Sequence, residues 1–208
     1  MAAIGVLVLG ESGTGKSTSI RTLPPDDTAI INANGKRLPF KNADNFRVMN
    51  TDNYQKIKAA LVKAKSKRIV IDDAQYLFVN EFMININVKG YDKYNNLARN
   101  FWELVESLKG LDDEKIVYFL SHTETDNLGN IKMKTVGKLM EGLITIEGLF
   151  GIVLRTIVKD GAYFFSTQNN GQDTVKTPCE MFTEQFIPND LLFVDKSIRL
   201  YYNMKEAK

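Results

Sequence analysis

The sequence predicts an α/β fold built on a mostly parallel β-sheet that ends in an antiparallel β-hairpin extension. Three observations carry that reading. Apolar strand-like runs alternate with helix-period segments through residue 120, a pattern that calls for right-handed βαβ units. A glycine-rich turn over Gly10 to Ser17 joins a continuous apolar run to a helix start. The last third turns β-rich, with Asp160-Gly161 set between two strand-like runs.

Taken in order, Ile4 to Leu9 reads as a strand buried on both faces. A short helix follows the glycine-rich turn from about Lys16 to Leu23, and Pro24-Pro25 ends it. Thr28 to Ala33 and Arg47 to Asn50 read as strands, with Asn34-Gly35 as a turn between them. Thr51-Asp52-Asn53 offers an N-cap for a helix over Tyr54 to Ala64. Arg68 to Ile71 is another buried strand. The polar, irregular stretch Glu81 to Asn96 is expected to be a long loop, and Leu97 to Leu108 a helix stopped by Gly110. Its Phe101 and Trp102 fall in a helical pattern that points to the core. Lys115 to Leu120 is a strand ending at Ser121-His122-Thr123, and Asp126 to Lys134 a turn or hairpin. Val136 to Ile146 reads as a helix or ordered loop, Phe150 to Val158 and Ala162 to Thr167 as the hairpin. Cys179 to Phe186 is expected to be a short helix and Ile198 to Asn203 a final strand.

A chain of 208 residues suits a single domain over 1–208, and 44% hydrophobic residues supply a core. The net charge of +2 is too small to argue by itself for nucleic acid. A single cysteine, Cys179, rules out an intrachain disulfide and an all-cysteine metal site. Neither a signal-peptide pattern nor an apolar run of about 18 residues is present. The expectation is a soluble cytoplasmic protein with no membrane partner.

Gly10-Glu11-Ser12-Gly13-Thr14-Gly15-Lys16-Ser17 matches G-x-x-x-x-G-K-[ST] in full, with Thr18 next. Polyphosphates are best held by convergent backbone N–H groups, which require a tight loop with little side-chain bulk. A helix start pointed at the phosphates adds to this. Lys16 is expected to reach the β- and γ-phosphates of ATP, and Ser17 to offer its hydroxyl to Mg²⁺. Arg68-Ile69-Val70-Ile71-Asp72-Asp73 ends an apolar strand in two acids. Asp72 is the candidate for orienting Mg²⁺. Asp73 has two readings, polarising the attacking water or capping the next segment, and Glu11 and Glu81 are the other candidate bases. His122, the single histidine, stands where a γ-phosphate sensor belongs. Asn-Lys-x-Asp, the guanine-reading motif, does not occur, which favours ATP.

Lysines cluster at Lys56 to Arg68 and at Lys132, Lys134 and Lys138, and they interleave with aromatics at Lys89, Tyr91, Lys93 and Tyr94. Each cluster is either a solvated surface or a contact for single-stranded DNA. Arg155 and Lys176, the latter in an exposed turn before Pro178, are candidates for a cation that completes a neighbour's site in a homo-oligomer.

The layout of Gly10 to Ser17, Ile69 to Asp73, Leu120-Ser121-His122 and a hairpin followed by Lys176-Thr177-Pro178 resembles the minimal RecA-like ATPases of bacteriophages. These are ATP-binding proteins, some of which act as single-strand annealing proteins. The resemblance spans residues 3 to 180. It implies a three-layer RecA-like core, DNA-stimulated ATP hydrolysis and single-stranded DNA binding in recombination or replication. Lys16, Ser17 and Asp72 carry over directly, and His122 carries over as the sensor. The alternatives are a P-loop small-molecule kinase, which needs a cluster of arginines, and an AAA-type ATPase module, which needs a helical lid.

Overall fold

A computed structural model describes residues 2–136 and 143–205. Among the described residues nine strands form the scaffold: β1 (Ile4–Gly10), β2 (Thr28–Asn32), β3 (Arg47–Asn50), β4 (Arg68–Asp72), β5 (Ile116–Thr125), β6 (Ile131–Met133), β7 (Ile152–Lys159), β8 (Ala162–Ser166) and β9 (Phe186–Pro188). Their spatial order is β3-β2-β4-β5-β1-β7-β8-β9, with β6 paired to β5. From β3 to β7 every neighbour on that path is parallel; β6, β8 and β9 pair antiparallel.

Strand alternation sorts the core into two faces. Leu7, Leu9, Ile69, Ile71, Val117 and Phe119 point to one face. There they meet α1 (Tyr54–Lys63), α2 (Gln75–Ile84) and α3 (Asp92–Glu106) through Ile57, Leu77 and Phe101. Val6, Val8, Val70, Tyr118 and Leu120 point to the other face. They meet a 3-10 turn over Ser17–Thr22 and α4 (Leu191–Tyr201) through Ile20, Val194 and Ile198. The result is a three-layer α/β arrangement with antiparallel strands following β7. The hairpin turn has Asp160 at φ +51° and Gly161 at φ +75°, as a two-residue turn of that hand requires.

Below the sheet a buried ionic cluster ties α4 to β4. The Arg68 guanidinium meets Asp195 at 2.7 Å and Asp27 at 2.9 Å, and Arg199 meets Asp195 at 2.8 Å. The Tyr118 hydroxyl donates to the same Asp195 carboxylate at 3.1 Å. Burial, and then that carboxylate, push the Tyr118 phenol well above its ordinary range.

Several elements differ from the sequence expectation. Glu81 to Asn96 is largely helical: α2 runs through Ile84 and α3 begins at Asp92. The period is hidden because α2 is apolar nearly all round, with Met83 and Ile84 facing solvent. Trp102 is 44% exposed while its neighbour Phe101 is fully buried. The expected helix over Cys179 to Phe186 is a run of turns and bends leading into β9, and the expected final strand is the end of α4 and the turn after it; α4 is capped by Asp190 accepting from Phe193 N at 3.0 Å. Its buried face, Leu191, Val194, Ile198, has helical spacing. The segment after the phosphate loop is a 3-10 turn of six residues, not an α-helix. There Ser19 Oγ and Thr22 Oγ1 bond carbonyls three residues back, competing with the α-helical ladder. Lys138 and most of the expected helix or loop over Val136 to Ile146 lie outside the described residues.

Candidate active site

The register of the central strands sets the site. Parallel pairing puts His122 level with Gly10, and Asp72 level with Asn32. β5 lies between β1 and β4, so Asp72 stands one strand away from the phosphate-loop strand rather than beside it. At the carboxyl ends of these strands a cleft of about 460 Å³ opens between the Ser12–Thr18 segment, Asp72, Asp73 and His122.

The loop is built tightly. A Cβ on Gly10 would stand 1.8 Å from Thr156 Oγ1, so nothing larger than glycine fits there. Gly13 and Gly15 take φ +80° and +94°. Thr156, reaching across from β7, contacts Thr14 Oγ1 at 2.6 Å and donates to Leu9 O at 3.2 Å. Lys16 Nζ donates back to Gly10 O at 2.8 Å and Glu11 O at 2.7 Å. Burial lowers the Lys16 ammonium to a pKa of about 8, against the pull of Asp73, Asp72 and Glu11. Because the following turn is short, its dipole is small.

Ser17 Oγ donates to Asp72 Oδ1 at 2.8 Å. Burial, and then the charge of Asp73, push the Asp72 carboxyl up to about 6, although Ser17 and Lys16 oppose this. Asp73 is shaped differently. It follows the end of β4 in the left-handed region, at φ +57°, a conformation that costs a non-glycine residue about 1 kcal/mol. Burial works against its charge too, but His122, Asn34 and Lys36 outweigh it and hold the carboxyl below its usual range. His122 Nε2 lies 3.6 Å, Asn34 Nδ2 3.4 Å and Lys36 Nζ 3.9 Å from that carboxylate. The strand carrying His122 does not end there. It continues to Thr125 and folds into β6, while Gln75 Oε1 accepts from His122 N at 3.2 Å.

Among the other sequence candidates, Gly10, Glu11 and Thr14 belong to the loop without lining the cleft. Glu81 lies elsewhere: it lines a separate cleft with Asp52, Tyr54 and Asn100 and accepts from Asn100 at 2.7 Å. Lys176 is exposed. It is not in a turn, since its backbone pairs with Val153 of β7. Arg155 is ion-paired to Asp173 at 3.0 Å. The lysine-rich stretch splits: Lys58 pairs with Glu103, Lys67 with Glu114, and Arg68 is buried. Lys93 lies over the rings of Phe82 and Tyr94.

Sequence reasoning missed Arg21, Lys36, Arg37, Tyr163 and Asn189, all of which line the cleft. Lys36 and Arg37 had a signal, since they follow the turn at the carboxyl end of β2, where ligands bind in such sheets.

No helix among the described residues is long and apolar enough to cross a membrane. No curated protein matches the chain. A family model described as an AAA domain matches residues 2–179 and takes in every cleft residue except Asn189. On that match the chain belongs to the AAA-domain family of P-loop ATPases.

Proposed function

We propose that the protein hydrolyses ATP in this cleft with Mg²⁺, that single-stranded DNA stimulates the reaction, and that the setting is phage recombination or replication in the host cytoplasm. The observation that supports it best is the convergence of Lys16, Ser17, Asp72, Asp73 and His122, distant in sequence, on one cleft.

The residues fit the metal. Ser17 Oγ and the Asp72 carboxylate are a hard-oxygen pair of the kind Mg²⁺ takes, and these two would hold it. When bound, it neutralises charge on the β- and γ-phosphate oxygens. Lys16 exchanges its two carbonyl acceptors for phosphate oxygens. Ser12, Gly13, Gly15 and Thr18 contact the polyphosphate, and Glu11 and Thr14 shape the loop. Asp73, ionised at neutral pH, accepts a hydrogen bond from the attacking water and orients it toward the γ-phosphorus. His122, beside Asp73, donates to the γ-phosphate and registers its loss. Exposed Lys56, Lys63 and Lys65, with Lys89 and Tyr91 in the α2–α3 turn, suit a single strand's phosphates and bases. Lys176, exposed on the flank of the sheet, serves a neighbouring copy's site.

ATP turnover measured with and without single-stranded DNA tests the proposal. DNA is expected to raise it, with weaker stimulation at higher salt, and Lys16→Ala to abolish it. Turnover indifferent to DNA, with phosphate passed to a small molecule instead, would favour the kinase reading. Mixing Lys176→Ala with Lys16→Ala restores part of the turnover if Lys176 acts across an interface, and no recovery removes it from the site.

A further inference from the structure

Residues beyond 179 fall outside the span of the family model, yet they pack against the phosphate loop. Arg21 Nη1 donates to Asn189 O at 3.4 Å, Leu192 N donates to Thr22 Oγ1 at 3.3 Å, and Asn189 N donates to Tyr163 O at 3.2 Å. The β9–α4 turn is thereby fixed to both the 3-10 turn and β8.

Its one cleft-lining side chain is incompletely satisfied. Asn189 is 4% exposed, and its Nδ2 has no hydrogen-bond partner among the described residues. A buried amide donor without an acceptor costs free energy, so such a group points to an acceptor supplied from outside the chain. Its neighbour Tyr163 keeps an accessible ring, 48% exposed. Both close on Gly15: a Cβ there would meet Tyr163 Cδ1 at 3.0 Å, Asn189 Oδ1 at 3.1 Å and Nδ2 at 3.3 Å.

The sheet order gives this wall its meaning. β4 and β5, carrying Asp72, Asp73 and His122, lie on one side of β1. β8, carrying Tyr163, and β9, leading to Asn189, lie on the other. A triphosphate whose terminal group faces the acids runs along the loop and leaves it toward Tyr163 and Asn189. We propose that these two residues receive the nucleoside, with the Tyr163 ring stacked on the base and Asn189 Nδ2 donating to a nucleoside acceptor. The inference rests on the nucleotide reading of the cleft. A stacking ring favours the larger purine face over a pyrimidine.

Calorimetric titration of the full chain with ATP, CTP and inorganic tripolyphosphate separates the two claims. Tyr163→Ala is expected to weaken ATP about tenfold or more, and Tyr163→Phe to restore it. Asn189→Ala is expected to weaken ATP about fivefold. Tripolyphosphate, which lacks a nucleoside, binds both alanine variants as it binds the parent, which also shows that the loop is intact. The parent is expected to prefer ATP to CTP, and Tyr163→Ala to lose that preference. The proposal is overturned if the alanine variants bind ATP like the parent, or if they lose ATP and tripolyphosphate together, as a merely structural wall would. A parent that binds neither compound overturns the nucleotide reading itself.

Discussion

The two sides of the cleft are built by opposite means. On the β4–β5 side, parallel register fixes Asp72 at the end of buried β4, with Asp73 one residue beyond, and His122 within β5, level with the end of β1. On the β8–β9 side, Tyr163 and Asn189 come from outer antiparallel strands and a turn. The first side carries charge at a cost. Burial displaces the Asp72 carboxyl up to about 6 and, in the phosphate loop that faces it, the Lys16 ammonium down to about 8. The second carries little charge beyond Arg21 and leaves a donor unmatched among the described residues. The contrast teaches that the central strands supply precise placement of groups that would be more stable in water, while the flank supplies contact area.

The sharpest way to break this comparison is Asp72→Asn. Turnover is expected to fall about a hundredfold or more, since a metal-holding carboxylate is lost. Stability moves the other way. The folded protein holds the Asp72 proton more tightly than the unfolded chain. That stabilisation is complete below the ordinary 3.8 and is lost as pH rises through about 6. Asn keeps an acceptor for Ser17 without the charge. It is expected to stabilise the metal-free protein by about 2 kcal/mol at neutral pH, a rise of about 5 °C in Tm, with no gain at about pH 3.5. A Tm that falls at neutral pH would mean the carboxylate is no burden.

Gly15→Ala tests both sides at once. It forces a side chain at φ +94° and into contact with Tyr163 and Asn189, so ATP affinity is expected to fall about thirtyfold and stability by about 1–2 kcal/mol. A subtler probe is pH. In the absence of metal, nucleotide affinity is expected to decline above about pH 8 by up to tenfold per unit as free Lys16 loses its proton, and Lys16→Arg removes that decline. The smallest expected effect belongs to Glu81→Gln. It stands in a separate cleft, so turnover stays within about twofold in a steady-state assay, and a large loss would relocate the base.

What the sequence revealed follows the same divide. Gly10 to Ser17, Asp72, Asp73 and His122 were legible because a motif and buried apolar strands announce where parallel strands end. The hairpin turn at Asp160-Gly161 was legible for its local chemistry. Tyr163 and Asn189 were not, since only long-range antiparallel pairing brings them to Gly15. Thr156 was equally silent: its role depends on the β1–β7 register, which no local pattern encodes. α2 escaped notice because it lacks a polar face, and α4 because its own exposed Leu200 and Tyr201 extend the apolar run from Ile198 and imitate a strand.

The salt cluster beneath the sheet has a bearing on where this protein can be cut. A fragment trimmed to residue 179 keeps Arg68, 3% exposed at the foot of β4, but loses Asp195, the acid nearest to it. The guanidinium is then left with the Asp27 carboxylate at 2.9 Å, and losing its hydrogen bond to Asp195 costs on the order of 1–3 kcal/mol. β4 is the strand that presents Asp72 and Asp73, so such trimming undermines the acids from the opposite end of the sheet. The span of the family match thus stops short of residues that the ionic cluster ties to β4.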